Sequence, residues 1–236
     1  MTDRTNPKRR VVSLWFPRFA TDRCQRNLEP RKKRQFYAAG TIAGQPALAM
    51  AINEGSTVRL SAVTVTAQKA GLSPGQTLVD ARALLPDVAV HDGDPAGDNS
   101  TLEQIAVWCT RYTPWAAPSG LEPGGAAGIW LDISGCAHLF GGEAAVLDNI
   151  IDRLAAIGYT TRAGLTDTAG ASWAAARFGQ PDRARRVIIA PGEHSTQLAP
   201  LPNAALRLPS DILDGLERLG LRKIGDLITI PRARLN

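Results

Sequence analysis

The second half of the chain alternates between two hydrophobic periods, and this constrains the fold more than any other feature. Ile129-Trp130-Leu131-Asp132-Ile133 is a short, mostly apolar run of strand type. Gly141 and Gly142 precede a helical pattern that puts Val146, Leu147, Ile150, Ile151 and Leu154 on one face, and Gly158 ends it. Residues 159–165 read as a strand, 169–178 as a helix of small residues, and 186–190 as a final strand. Strand faces and helix stripes must bury their apolar surface against one another. The order strand, helix, strand, helix, strand therefore predicts a sheet layer with helices on one face, in an α/β or α+β fold.

Upstream, Val11-Val12-Ser13-Leu14-Trp15-Phe16 reads as a buried strand stopped by Pro17. Residues 47–52 form a second apolar run, 77–85 a helix closed by Pro86, and 88–90 a strand. Residues 91–100 read as an acidic loop whose Asn99 or Ser100 caps the next helix, with Leu102, Ile105, Ala106 and Cys109 on one face. The Pro-, Gly- and Ala-rich stretch 114–128 reads as a turn region, and 191–209, with four prolines, as a linker.

Charge is unevenly placed. Up to Arg34 there are eleven Lys and Arg against three acidic residues, a net of +8, and the run ends in Arg31-Lys32-Lys33-Arg34. Residues 35–206 carry a net of −5, and the remainder +2. Clustered positive charge suits a polyanion, since each neutralised phosphate releases counterions; a solvated basic arm is the alternative. No apolar run approaches the roughly 20 residues that span a bilayer, so no membrane association is expected. The three cysteines, Cys24, Cys109 and Cys136, are scattered without a CxxC pair, which disfavours a disulfide framework and fits a reducing cytoplasm.

Near the C-terminal end, Gly220-Leu221-Arg222-Lys223-Ile224-Gly225 joins two short helical patterns. A helix–hairpin–helix grips DNA backbone in this way. Glycines permit close approach, and amides at the following helix start meet phosphate oxygens. Gly220, Arg222, Lys223 and Gly225 are the candidate contacts, joined by Lys32, Lys33 and Arg34 of the basic arm. A plain αα-hairpin has the same spacing. Other signals are weaker. Asp92, Asp94 and Asp98 match a calcium loop poorly because Pro95 interrupts it and Ala96 lacks a ligand oxygen, and Cys136-x-His138 has no second metal-binding pair. Residues 197–201 (Gln-Leu-Ala-Pro-Leu) faintly resemble a sliding-clamp peptide but start the linker.

Residues 70–76 (Ala-Gly-Leu-Ser-Pro-Gly-Gln) and 81–86 (Ala-Arg-Ala-Leu-Leu-Pro) resemble the fingers of Y-family, DinB/UmuC-type DNA polymerases. Residues 108–115 (Trp-Cys-Thr-Arg-Tyr-Thr-Pro-Trp) and 128–142, which include Trp-Leu-Asp-Ile-Ser-Gly-Cys-Ala-His-Leu-Phe-Gly-Gly, resemble the ImuB branch of that family. The resemblance runs from Val11 to about Leu235. It implies an α+β fold: a ferredoxin-like palm with helices on one face, a small fingers insertion and the start of a helix–hairpin–helix thumb. The implied layout is 1–34 basic arm and first palm strand, 35–95 fingers, 96–190 palm, 191–208 linker and 209–236 partial thumb.

The resemblance also implies a loss. Such polymerases hold two divalent metals on carboxylates from two adjacent strands. Those carboxylates fall here on Trp15, Pro17, Ala127 and Gly128. The fingers tyrosine and arginine that hold the triphosphate fall on Val65 and Gln68, and the palm lysine on Trp173. Asp22, Glu122 and Asp132 are the nearest carboxylates that could rebuild a metal site. The implied function is a non-catalytic, DNA-binding scaffold in SOS-type translesion synthesis and induced mutagenesis, with no metal and no cofactor. It would connect an error-prone replicative-type polymerase, a RecA-like partner and the sliding clamp at damaged DNA. The family's partner-binding region lies downstream of the thumb and is absent from this sequence. Two alternatives stay open: an active polymerase with a rearranged Mg²⁺ site, and a protein-interaction module that does not touch DNA.

Overall fold

A computed structural model describes residues 9–28, 46–180, 185–228 and 230. A five-stranded sheet is built from β1 (Val11–Phe16), β5 (Ala116–Glu122), β6 (Ala126–Asp132), β7 (Arg162–Thr166) and β8 (Arg186–Ile188), in the order β5-β6-β1-β7-β8. All its pairs are antiparallel except β7/β8. A second sheet, ordered β3-β2-β4, comprises β2 (Leu48–Glu54), β3 (Thr57–Val63) and β4 (Ala89–Asp92).

Alternation along β1 divides the large sheet into two faces. Val12, Leu14 and Phe16 join Ala127, Ile129 and Leu131 in the main core. Over them lie α4 (Pro95–Cys109), through Leu102, Ile105 and Cys109, and α5 (Glu143–Ala156), through Val146, Leu147, Ile150 and Leu154. Each such side chain taken fully from water contributes about 1.5–3 kcal/mol, so this face anchors the domain. The opposite face carries α6 (Ala169–Phe178), whose small residues let the backbones approach. A side chain at Gly164 of β7 would run into the Ser172 carbonyl and the Ala176 amide. Ser172 donates to the Val11 carbonyl at 2.8 Å.

The smaller sheet packs α2 (Val65–Lys69) and α3 (Leu78–Leu84) onto its outer side, with Ala67 and Ala81 against Ala49, Ala51 and Leu60. Its other side meets α1 (Phe19–Leu28) through Leu48, Met50, Ala62 and Ala20. The two sheets touch at the β5–β6 turn. There Gly125, at φ +73°, leaves no room for a side chain because Ala62 already fills the place. Among the described residues no helix is long and apolar enough to cross a membrane.

Four sequence expectations are corrected. The stretch 114–128 is not merely a turn, because it contains β5 and the start of β6; Gly120, at φ +103°, sits at a bulge where β5 irregularly pairs with β6. The acidic loop ends early. Asp94, not Asn99 or Ser100, caps α4 by accepting from the Gly97 amide at 2.9 Å, and Pro95 occupies the first turn, where its missing N–H costs nothing. Tyr159 is not a strand residue; it turns into the core and stacks on Phe19 at 5.3 Å, and β7 starts three residues later. The proline-rich segment 191–209 is no free linker. It forms α7 (His194–Leu198) and a 3-10 turn (Asn203–Leu206), and Leu201 and Ala205 are buried beside Ala174 and Ile224.

The basic cluster is also partly internal. Arg10 is buried and its guanidinium reaches Glu143 (2.6 Å), Asp167 (2.9 Å) and the Ile189 carbonyl (3.0 Å). Arg23 pairs with Asp98 at 2.5 Å and Asp94 at 3.0 Å, and Arg26 lies over the Tyr159 ring. These cations hold the first strand and helix in place. Lys32, Lys33 and Arg34 lie outside the described residues.

Candidate functional site

The register of β1 and β6 sets Trp15 opposite Gly128 and Phe16 opposite Ala127, and Pro17 follows as the strand ends. The positions that the sequence singled out are therefore adjacent on two paired strands. Phe16 and Ala127 point into the core, whereas Trp15 and Gly128 belong to the face under α6. A Cβ at Gly128 would collide with Ser119 Oγ and lie 3.2 Å from Arg177 Nη2. The space that a side chain would need is already used.

Arg177, in the last turn of α6, uses it. Its side chain is 5% exposed and forms a two-pronged ion pair with Glu122 of β5, Nε lying 3.2 Å from Oε2. Nη1 also reaches Ser13 Oγ at 3.3 Å. The guanidinium carbon is 4.4 Å from the Trp173 ring centre and 5.5 Å from that of Trp15. Arg162 approaches Trp15 at 5.6 Å while donating to the Gly179 carbonyl at 2.7 Å. Arg207, held in left-handed backbone at φ +57°, approaches Trp173 at 5.1 Å. Burial is the main cause that pushes the Arg177 guanidinium below its ordinary pKa; Glu122 opposes this and Arg207 adds to it. Arg162 is lowered by burial alone.

Three guanidiniums thus converge on two tryptophans with one carboxylate between them. Sequence reasoning placed Trp15 and Trp173 but missed the arginines. The signal was there: Trp173 and Arg177 are four residues apart on a helix, so they share a face.

The three carboxylates that the sequence offers for a metal site are engaged by other groups. Asp22 is buried and accepts from the Thr160 amide at 2.7 Å; burial, outweighing that bond and nearby Arg18, pushes its carboxyl up to about 7. Asp132 receives Ser134 N–H at 3.0 Å and Ser134 Oγ–H at 2.5 Å, and lies 3.5 Å from Arg9. Glu122 belongs to Arg177. Among the described residues no three His, Cys, Asp or Glu side chains gather where a metal ion could be held.

Val65 and Gln68 sit on α2, whose Ala67 packs onto the smaller sheet; Val65 is half-buried and Gln68 exposed. A cleft of about 450 Å³ opens between the two sheets, walled by Ile52, Leu60, Pro74, Gly124 and four carboxylates. Each of these is ion-paired: Glu54 with Arg59, Asp94 and Asp98 with Arg23, Glu122 with Arg177. The wall presents little free charge.

The C-terminal hairpin joins α8 (Ser210–Arg218) to α9 (Ile224–Ile228), with Gly220 at φ +78°. Its amides are already taken. Those of Arg222 and Lys223 donate to Asp226 Oδ2, both at 2.9 Å, that of Ile224 to the Leu201 carbonyl and that of Gly225 to the Ala199 carbonyl. Gly225 is small because Ala199 lies against it, a Cβ there falling 3.1 Å from the Ala199 oxygen. The hairpin offers the side chains of Arg222 and Lys223 to solvent, beside exposed Arg218 and Leu219.

Residues 34–177 match the impB/mucB/samB family, covering most of the sheet pair and the strands bearing Trp15's partner Gly128. The chain belongs to this family. It is 48% identical over 165 residues to Protein ImuB of Caulobacter vibrioides strain NA1000 / CB15N, a match spanning 70% of this chain and 34% of that protein. The same protein from strain ATCC 19089 / CIP 103742 / CB 15 matches equally. The chain thus spans about a third of the length of the curated relatives it matches. The fold resembles that of DinB from Sulfolobus solfataricus, with a TM-score of 0.71 at 15% identity, over 96% of this chain and 62% of that one. It also resembles the Dbh DNA polymerase in an insertion ternary complex, with a TM-score of 0.68 at 15% identity, over 96% and 62%. In this impB/mucB/samB member the two sheets and their helices together match the palm-and-fingers fold of those polymerases.

Proposed function

We propose that this chain is a non-catalytic Y-family polymerase homologue that serves as a DNA-binding scaffold in SOS-type translesion synthesis and induced mutagenesis. One observation carries the reading: where two strands would present metal-binding carboxylates, Trp15 faces Gly128 and the Arg177 guanidinium fills the space beside them. A divalent cation would meet indole and guanidinium there, and a positive charge repels it. Nucleotidyl transfer needs the opposite arrangement.

The kinship with ImuB and the Dbh complexes supports contact with primer–template DNA, made by backbone recognition through exposed Arg222 and Lys223 and through Lys32, Lys33 and Arg34. We divide the chain as the sequence suggests, with fingers over 35–95, palm over 96–190 and a partial helix–hairpin–helix thumb from 209. Recruitment of an error-prone replicative-type polymerase, a RecA-like partner and the sliding clamp belongs to the same reading, in a cytoplasmic setting.

Primer extension tests it. The purified chain, a primed template, four nucleotides and Mg²⁺ or Mn²⁺ should give no added nucleotide while the protein shifts the primer–template in a salt-dependent manner. Extension that Asp132→Ala abolishes would establish the enzyme reading instead.

A further inference from the structure

The arginines around Trp15 and Trp173 differ in setting: Arg177 is buried, Arg162 half-buried and Arg207 exposed. A guanidinium fixed by a carboxylate has its charge cancelled. One fixed by an aromatic face is positioned by the ring quadrupole and keeps its charge and its N–H edge for another partner. Arg177 has Glu122, but Arg162 and Arg207 have no acidic partner among the described residues. The group Arg162, Arg177, Arg207 and Glu122 therefore carries a net of +2; the surplus lies on the half-buried Arg162, where an uncompensated charge is costly, and on the exposed Arg207.

The two surplus cations come from different parts of the chain. Arg162 begins β7 in the palm, and Arg207 sits in the left-handed turn that leads into α8. Residues other than glycine rarely adopt that backbone. Here it directs the exposed Arg207 toward Trp173, which Arg177 meets from α6. Cations and rings alternate, Trp15 being shared by Arg162 and Arg177 and Trp173 by Arg177 and Arg207.

We propose that Arg162 and Arg207, set on Trp15 and Trp173 with the neutralised Arg177–Glu122 pair between them, form a metal-independent site for the phosphodiester backbone of a DNA strand at the centre of the palm. This deepens the scaffold reading and rests on it. The site inverts the electrostatics of a polymerase centre: fixed positive charge meets the strand directly, where a polymerase would interpose metal ions between acidic side chains and phosphate. Glu122 keeps Arg177 in place and leaves the outer two cations to the ligand.

Binding of a labelled oligothymidylate, read by fluorescence anisotropy in buffer containing EDTA, tests the site. The unaltered chain should bind without divalent metal. Arg207→Glu, at an exposed position, should weaken binding about tenfold and reduce the slope of log K against log salt by at least about 0.7. Arg162→Gln should act in the same direction, and inorganic phosphate at moderate concentration should compete poorly with the oligonucleotide. If the unaltered chain binds and both variants match it, the palm site is wrong while the scaffold reading stands. Binding that appears only with Mg²⁺, or phosphate competing as well as the strand, would also overturn the site. No binding by the unaltered chain to any DNA would overturn the scaffold reading itself.

Discussion

Arg177 lies 4.4 Å from the ring centre of Trp173, one helical turn earlier on α6, and closes an ion pair with Glu122 across the sheet. The pair locks α6, β5 and β1 around the palm centre. Replacing Arg177 by Met keeps the bulk but leaves Glu122 without its cation. Breaking a buried pair by removing one partner costs roughly 3–5 kcal/mol, and Glu122, being a quarter exposed, brings this to the lower end. Chemical denaturation should show a loss of about 3 kcal/mol for Arg177→Met. Glu122→Gln, which keeps a hydrogen-bond acceptor, should cost less.

Restoring carboxylates should not restore a polymerase. Gly128→Glu forces a Cβ into Ser119 Oγ and crowds Arg177. Overpacking of this kind costs about 1–3 kcal/mol. The variant should melt at lower temperature and remain inactive in primer extension, alone or combined with Trp15→Asp. Gly128→Ala should lose less, since Ser119 Oγ ends an exposed side chain that can turn away from one added carbon, whereas a full glutamate must also displace Arg177.

Asp22 gives the protein a defined pH response. Its carboxyl is raised from an ordinary 3.8 to about 7 by burial, so the folded state binds this proton more tightly than the unfolded chain. Stability from this group is fully present below about pH 4 and falls as pH rises toward 7. With a shift near three pH units, up to about 4 kcal/mol is involved. Asp22→Asn, which can still accept from Thr160, should flatten the dependence of stability on pH between 4 and 7 and make the variant the more stable protein at pH 8. A parallel pH profile for both proteins would contradict this assignment.

The three thiols should react in two classes. Cys109 is buried in the main core, and burial pushes its thiol up to about 12. Cys24 and Cys136 are partly exposed. A thiol reagent at neutral pH should label two sites in the native protein and the third only on unfolding, because the thiolate is the reactive form.

Much of this fold was legible because its strong patterns were long. The helix with Val146, Leu147, Ile150, Ile151 and Leu154 inward lies where its spacing put it, and Val11 to Phe16 is a strand as read. What escaped notice was short or composed of residues with another use. Ala116-Ala117-Pro118-Ser119-Gly120 has the composition of a turn yet forms an edge strand, where a proline is tolerated because its missing donor faces away from the ladder. The segment 191–209 looked like connection because prolines outnumber apolar periodicity, but Leu201 and Ala205 suffice to dock it. At the sheet centre, the resemblance pointed to Trp15, Pro17, Ala127 and Gly128 and could not tell what surrounds them. Arg162, Arg177 and Arg207 come from β7, α6 and a turn, distant in sequence, and only the folded chain sets them on two tryptophans.

The most direct measurement is a count of bound Mn²⁺ by electron paramagnetic resonance, with the chain held on a primer–template and a non-hydrolysable nucleotide added. With Trp15, Gly128 and Arg177 at the centre, free Mn²⁺ should equal that of a control holding the same DNA and nucleotide without protein. Two protein-dependent Mn²⁺ ions per chain, lost when Asp132 becomes alanine, would contradict the account.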